Sequence, residues 1–146
     1  MSTTNQSPKV EPYLFFDGCC AEAAEFYTQA LGAEVLMLAR YKDSPDPHPP
    51  GMVPPGSENK IMHARLKIGE TLFMASDDCG QHKPKFEGFS LSLTAPNEAE
   101  AKKFFNALAQ GGQVRMPLTK TFFSPCFGMV ADRFGLGWMV IVQPSV

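Results

Sequence analysis

Two segments of the chain combine a helical spacing of apolar residues with an adjacent pair of aromatic residues. In the first, residues 20–31, a helical periodicity places Ala23, Phe26, Ala30 and Leu31 on one face. Gly32 follows directly, and glycine is the residue that most readily ends a helix in the left-handed conformation. We therefore predict a helix over residues 20–31 whose apolar stripe packs on a sheet.

The second segment repeats this plan about half a chain later. Asn97 and Glu100 have the spacing of a capping box and predict where this helix begins. Its apolar stripe comprises Ala101, Phe104, Phe105 and Leu108, and glycines follow at 111 and 112. Recurrence of a paired aromatic in the same context suggests a duplicated unit.

Strand-like patterns flank both helices in the same order. They cover residues 11–16, 33–41, 61–68 and 71–76 in the first half, and 89–94, 114–119, 122–131 and 138–143 in the second. Each half therefore reads as strand, helix and three strands. We predict an α+β protein of two paired βαβββ modules that form a curved, cupped mixed sheet with the helices outside. The concave face is the expected place for a ligand.

The predicted organisation has four segments: a flexible tail at 1–10, a first module at 11–78, a linker at 79–86 and a second module at 87–146. The first module contains a proline-rich loop at 42–60, which cannot be a helix or a central strand. A loop of this length is either a mobile surface excursion, a lid or a dimer arm.

Composition narrows the class of partner. The chain is 44% hydrophobic and 19% charged with a net charge of −2, as in ordinary globular proteins. It offers no basic field for nucleic acid or an anionic membrane. It has no apolar run near the roughly 20 residues of a membrane span, and its polar beginning is unlike a secretory signal. We expect a cytoplasmic protein with a small-molecule partner.

The four cysteines, at 19, 20, 79 and 126, contain no Cys-x-x-Cys spacing and are expected to be free thiols. Cys126 has no visible activating base, which favours a buried structural cysteine over a nucleophile.

Several short motifs, in order, resemble the vicinal oxygen chelate superfamily of glyoxalases, extradiol dioxygenases and bleomycin-resistance proteins. They resemble its PhnB-like branch, also labelled 3-demethylubiquinone methyltransferase-like, more closely. The motifs lie at residues 12–16, 20–32, 63–68, 74–77 and 128–135, followed by Trp138. The resemblance implies the paired βαβββ fold and a homodimer. Methyl transfer is not expected, because the chain lacks a Gly-x-Gly-x-x-Gly turn after a first strand.

The resemblance also implies positions for a divalent metal, one on each of four strands. They fall at Glu11 or Pro12, at Ala75 or Ser76, at Gly88 and at Met139. At most one of these carries a hard donor, whereas a tight divalent site needs three or four protein ligands. The usual metal ligands are therefore largely lost, and we expect no cofactor.

These considerations give a candidate pocket on the concave face and three classes of function, one of which is a scaffold whose dimer surface is its function. The candidate pocket residues are Glu11, Tyr13, Phe15, His63, Ser76, Ser90, Ser92, Phe123, Trp138 and Met139. The favoured hypothesis is a protein that binds a small, partly apolar molecule. The alternative is an enzyme of the lyase, isomerase or dioxygenase type that uses a noncanonical metal site or His63 as acid or base. His48 and His82 are expected to be solvated.

Overall fold

The computed structural model describes residues 7–44, 55–78 and 83–144. Most of the predicted proline-rich loop lies outside these ranges, as do the first four residues of the predicted linker, His48, Cys79 and His82. The predictions for these residues therefore stay predictions.

The first half of the chain folds into one four-stranded mixed sheet with one long helix. Its elements are β1 (Tyr13–Phe16), α1 (Cys20–Leu31), β2 (Glu34–Arg40), β3 (Ile61–Ile68) and β4 (Thr71–Asp77). A short 3₁₀ turn, Tyr41–Asp43, follows β2. The strand order is β1-β4-β3-β2, and β1 runs parallel to β4.

The second half repeats this topology strand by strand. Its elements are β5 (Leu91–Ala95), α2 (Glu98–Ala109), β6 (Gln113–Thr119), β7 (Cys126–Ala131) and β8 (Gly137–Val142). The order β5-β8-β7-β6 again places the first and last strands of the module side by side in parallel. The α+β class and the two βαβββ modules are confirmed, and strand pairing is recorded within each module.

The duplication extends to an irregularity of the outer strands. In β2 the register to β3 shifts between Val35 and Met37, and in β6 the register to β7 shifts between Val114 and Met116. Each shift leaves one extra residue, Leu36 or Arg115, as in a β-bulge. The two outer edges of the molecule thus carry the same bulge.

Helix α1 has the predicted ends, and Gly32 stops it with φ 69° while its N–H donates back to the last turn. The predicted buried face was wrong in one respect. Tyr27 is fully buried, whereas Phe26 is only partly buried beneath the guanidinium of Arg133. Apolar periodicity favoured Phe26, but burial of Tyr27 is allowed because its hydroxyl has a buried acceptor.

Helix α2 begins as predicted, because the Asn97 side chain accepts a 2.8 Å hydrogen bond from the Glu100 backbone N–H. Its buried residues are Ala101, Phe105 and Leu108. Burying large apolar side chains contributes roughly 1.5–3 kcal/mol each, so packing against β7 and β8 stabilises this helix more than its propensity does.

One core joins the two modules. The Tyr27 hydroxyl donates a 2.6 Å hydrogen bond to Asp132, and its ring packs on Trp138 of β8. Asp132 also accepts from the Trp138 indole N–H at 2.9 Å and from the backbone N–H groups of Phe134 and Leu136. A single buried carboxylate thereby ties α1 to the turn between β7 and β8.

Candidate functional site

Each sheet has one face against its helix and a second face that we call the open face. On β1, Leu14 and Phe16 point to the helix and are 2% and 1% exposed, whereas Tyr13 and Phe15 are 39% and 50% exposed. On β8, Trp138, Val140 and Val142 are buried in the core. Since side chains alternate along a strand, Gly137, Met139 and Ile141 lie on the open face.

On sheet 1 the open face brings four of the predicted pocket residues together. Phe15 pairs with Ser76 across the β1–β4 ladder, and the Tyr13 and Phe15 rings are 4.9 Å apart. The Tyr13 hydroxyl lies 3.4 Å from His63 Nδ1. The acid–base role considered for His63 stays a prediction.

On sheet 2 the open face carries hydroxyl groups along β5. Ser92 and Thr94 are exposed and pair with Met139 and Ile141 of β8, and Ser90 precedes β5 on the same face. Three predicted residues, Ser90, Ser92 and Met139, are thereby neighbours. The predicted hydroxyl-lined face is therefore directed away from the core.

A row of methionines crosses each open face at the same register. The rows are Tyr13–Met74–Arg65–Met37 on sheet 1 and Ser92–Met139–Met129–Met116 on sheet 2. Every methionine of the described ranges except Met62 belongs to one of them. Flexible, polarisable thioethers adapt to apolar and aromatic partners, so both faces offer adaptable apolar surface.

A cavity of about 460 Å³ runs along β5 and reaches the first module. Its polar lining includes Ser90, Ser92 and Thr94, and its apolar lining includes Ile68, Phe73 and Trp138; Pro12, Gly69, Glu70, Thr71, Leu91 and Leu93 complete it. This volume and this mixture of apolar walls with a few polar groups are typical of small-molecule sites.

Trp138 lines this cavity from the helix side, because its indole N–H is bonded to Asp132. It is therefore part of the cavity wall rather than of the open face. Glu11 precedes β1 and is half-buried. Phe123 is 41% exposed and packs against Phe127 of β7.

The sequence missed Arg115, the bulge residue of β6. A methyl group built on Gly137 would lie 3.3 Å from its Nη1 and 2.7 Å from Ser90 Oγ. The guanidinium therefore reaches across the open face to β8 and shares with Ser90 the space above Gly137. Only the strand order and the bulge bring these three residues together, so no pattern along the chain could have indicated them.

A second cavity, of about 480 Å³, lies on the helix side between α1 and α2. It is lined by Glu22, Glu25, Phe26, Gln29, Ala30, Ala107, Gln110, Arg133 and Phe134. Arg133 stacks on the Phe26 ring at 4.4 Å and donates to the Gln110 carbonyl. Its basic group is already engaged in joining the modules.

The donor set does not fit a divalent metal. The open-face positions of β1, β4, β5 and β8 carry Tyr13 and Phe15, Met74 and Ser76, Ser92 and Thr94, and Met139 and Ile141. Within residues 7–44, 55–78 and 83–144, no three His, Cys, Asp or Glu side chains are grouped so that they could hold a metal ion. Hard divalent cations need several such ligands.

Asp77 is a buried carboxylate with a structural role. It ends β4, is 4% exposed, and accepts 2.8 Å hydrogen bonds from the backbone N–H groups of Cys20 and Ile61. It thus fixes the start of α1 beside the start of β3.

The thiols that the structure describes, Cys19, Cys20 and Cys126, are free. Burial raises the pKa of Cys20 to about 12, with the nearby charge of Asp77 as a second cause. Burial likewise raises the pKa of Cys126, which is 5% exposed. Both groups are therefore neutral at physiological pH, as expected of structural cysteines.

No helix in the described part of the chain is long and apolar enough to cross a membrane.

Solved structures of related proteins share this architecture. A protein of Pseudomonas aeruginosa, PA1353, is 42% identical, with a TM-score of 0.83 over 95% of this chain and 100% of that one. A PhnB protein of Bacillus cereus, described as a putative 3-demethylubiquinone-9 3-methyltransferase, is 30% identical, with a TM-score of 0.78 over 93% and 100%. A glyoxylase/bleomycin resistance protein/dioxygenase domain from Frankia, 14% identical with a TM-score of 0.65, shares the fold.

Among curated proteins, the chain is 35% identical to Protein YjdN of Escherichia coli K12, over 93% of this chain and 98% of that protein. The model of one protein family matches residues 8–141. The resemblance seen in the sequence is thereby confirmed. The chain belongs to the PhnB-like family whose model is described as 3-demethylubiquinone-9 3-methyltransferase.

Proposed function

We propose that this protein binds a small, partly apolar molecule in the cavity along β5, without a resident metal. The observation that carries the proposal is the cavity of about 460 Å³, whose lining combines three hydroxyl-bearing residues of one strand with several apolar residues. Apolar walls with a few placed polar groups recognise small molecules by shape and by orientation.

The cavity borders the open face of sheet 2 at Ser92. Met139 is the cross-strand neighbour of Ser92, and Met129 and Met116 continue the row. A ligand whose polar group lies at the hydroxyls of β5 would therefore place its apolar body over thioethers. The expected ligand is aromatic or otherwise polarisable, since sulfur contacts with aromatic rings are favourable.

We do not propose methyl transfer. The family description names a methyltransferase, but both sheets here are four-stranded and mixed with the order first-fourth-third-second strand. The doubly wound fold that usually carries nucleotide-type cofactors has a parallel sheet with a glycine-rich turn after its first strand.

The proposal also includes a homodimer. Several aromatic side chains are exposed in one chain, namely Tyr13, Phe15, Phe89, Phe122 and Phe123. An apolar surface of this kind is typical of an interaction site. Sedimentation equilibrium at micromolar concentration tests this part: a homogeneous monomer would contradict it.

Calorimetric titration with 1-naphthol, an uncharged aromatic probe, tests the site. Replacement Thr94→Trp fills the cavity at an exposed position and should weaken binding at least about 10-fold, because the probe and the new side chain compete for the same volume. Thr119→Trp is the matched control, an exposed threonine of the same open face that does not line the cavity. Absence of naphthol binding to the native protein, or equal loss in both variants, would overturn the proposal.

A further inference from the structure

The open face of sheet 2 holds a guanidinium group that is not used by the fold. Arg115 is exposed, and its guanidinium forms no hydrogen bond or ion pair with any residue in 7–44, 55–78 or 83–144. Its Nη1 nevertheless has a defined place, because it would lie 3.3 Å from a methyl group on Gly137. A cation that lies across its own sheet without a partner needs an explanation.

The same place is shared by a hydroxyl group. Ser90 Oγ would lie 2.7 Å from that methyl group. The Ser90 hydroxyl forms no hydrogen bond with any residue that the structure describes. Gly137 is buried beneath these two groups, which lie close to its backbone because it has no side chain. A methyl group at position 137 would collide with the Ser90 hydroxyl and press on the Arg115 guanidinium, so glycine is what allows the two donors to lie near one another.

Backbone topology explains how the guanidinium arrives there. Arg115 is the extra residue of the bulge between Val114 and Met116. The strand between β6 and β8 contributes Ala131, which is the cross-strand neighbour of both Gln113 and Gly137. Two small residues in succession therefore leave a path along which the long side chain can lie over the sheet.

The chemistry of the pair points to one class of group. Guanidinium presents several N–H donors in a planar fork that matches carboxylate and phosphate oxygens, and a hydroxyl adds one more donor. We propose that Arg115 and Ser90 bind the oxyanion, a carboxylate or a phosphate, of a small molecule whose apolar body lies on the methionine row. This inference rests on the proposed function, since Ser90 lines the same cavity.

Three probes that share one aromatic ring system distinguish the oxyanion site from the proposed binding of an apolar molecule. They are 1-naphthol, 1-naphthoate and 1-naphthyl phosphate, each titrated calorimetrically into the native chain. Both anions should bind about 10-fold more tightly than naphthol, as a charge-assisted hydrogen-bonded pair adds on the order of 1.5 kcal/mol. The anion that binds more tightly identifies the natural group as carboxylate or phosphate. Naphthol binding without any preference for the anions would overturn this inference and leave the proposed function standing.

Variants then test the residues. Arg115→Gln should reduce the preference for the anions to within about 2-fold and leave naphthol binding unchanged. Arg65→Gln is the matched control, because it removes an equal charge from the open face of sheet 1. An equal loss in Arg65→Gln would mean that only net charge matters and would overturn the inference.

Gly137→Ala provides the sharpest test, because it keeps the charge of Arg115 but adds a methyl group that would displace the Ser90 hydroxyl and the Arg115 guanidinium from their shared position. It should reduce the preference for the anions as much as Arg115→Gln does. Urea unfolding of the variant establishes that it is folded under the titration conditions. A folded Gly137→Ala chain that keeps the full preference would contradict the assigned position of the anion.

Discussion

The eighth residue of each helix is aromatic and buried, but Tyr27 of α1 and Phe105 of α2 are used differently. Tyr27 donates to Asp132 of the other module, and its ring contacts Trp138. Phe105 packs within its own module, so closely against β7 that a methyl group on Gly128 would lie 2.8 Å from its ring. One copy of the duplicated position joins the modules, and the other packs its own helix onto its own sheet.

The duplicated position thus carries side chains of similar volume but different polarity, tyrosine in α1 and phenylalanine in α2. A buried hydroxyl is tolerated only where it is hydrogen-bonded, and Asp132 supplies the acceptor for Tyr27. Burial, together with the charge and the hydrogen bond of Asp132, raises the pKa of Tyr27 far above its usual value, so it remains a donor. The difference between the two modules at this position therefore depends on the carboxylate of Asp132.

The largest expected effect follows from removing that carboxylate. Asp132→Ala leaves the Tyr27 hydroxyl, the Trp138 indole N–H and two backbone N–H groups without their acceptor. Each unsatisfied buried donor costs about 1–3 kcal/mol, so the free energy of unfolding should fall by at least about 4 kcal/mol in urea titrations.

Asp77→Ala is the matched comparison, because among the described residues this buried aspartate accepts from two backbone donors, both inside the first module. Its loss should be about half as large. Equal losses in the two variants would contradict the special role assigned to the carboxylate between the modules.

The second effect concerns the close packing of Phe105. In Gly128→Ala the new methyl group would meet the Phe105 ring and, at 3.1 Å, the backbone nitrogen of Leu118. Overpacking of this kind costs typically 1–3 kcal/mol, and we expect about 2–3 kcal/mol in urea unfolding. Adding Phe105→Leu should recover part of the loss, and strict additivity of the two changes would argue against direct contact.

Exchanging the polarity of the two aromatic residues tests the comparison itself. Tyr27→Phe removes one hydrogen bond to a carboxylate and should cost about 1.5–2 kcal/mol. Phe105→Tyr should also destabilise, by about 1–2 kcal/mol, because it adds a hydroxyl at a buried position whose close neighbours Gly128 and Leu118 supply no side-chain acceptor. A neutral Phe105→Tyr, measured by thermal and urea unfolding, would show that an acceptor is not what distinguishes the two sites.

The smallest effect is a pH dependence of the free energy of unfolding, caused by Cys20 at the start of α1. Helix α2 begins with Glu98 and has no cysteine at the equivalent position. The Cys20 thiol has a pKa of about 12 in the folded chain against 9.0 for the free group. Above pH 9 the unfolded chain releases this proton and the folded chain does not, so the stability present below pH 9 is lost as pH rises.

Between pH 8 and pH 10 the native chain should therefore lose about 1 kcal/mol more than Cys20→Ala does. The other titrating groups are common to both proteins and cancel in this difference. Parallel pH profiles for the two proteins would mean that Cys20 is not protected from ionisation in the folded chain.

Local patterns predicted most of the fold. Gly32 and Asn97 fixed helix ends because a stop or a cap is a property of a few adjacent residues. The choice between Phe26 and Tyr27 failed for a physical reason: adjacent residues differ by about one quarter-turn of a helix, and polarity alone favoured the wrong one. The deciding group, Asp132, lies far away in the chain.

The candidate site was less accessible to sequence reasoning. Ser90 and Ser92 were named because they alternate along one strand, and Met139 was named as part of an apolar pocket floor. The structure makes these residues neighbours. The role of Arg115 depends on a bulge, a strand order and the absence of a side chain at Gly137. Register and shape of this kind arise only when distant strands pair, so periodicity along one strand does not contain them.

The matched bulges of β2 and β6 have a consequence for how chains meet in concentrated solution. A bulge interrupts the regular row of backbone donors and acceptors that another strand would need. The bulges in β2 and β6 therefore protect these edge strands against aggregation by strand addition. The strands β1 and β5, which stand at the opposite ends of their sheets, pair without any shift of register. A strand from another chain that adds to either sheet would therefore pair with β1 or β5, where the backbone donors and acceptors form a regular row.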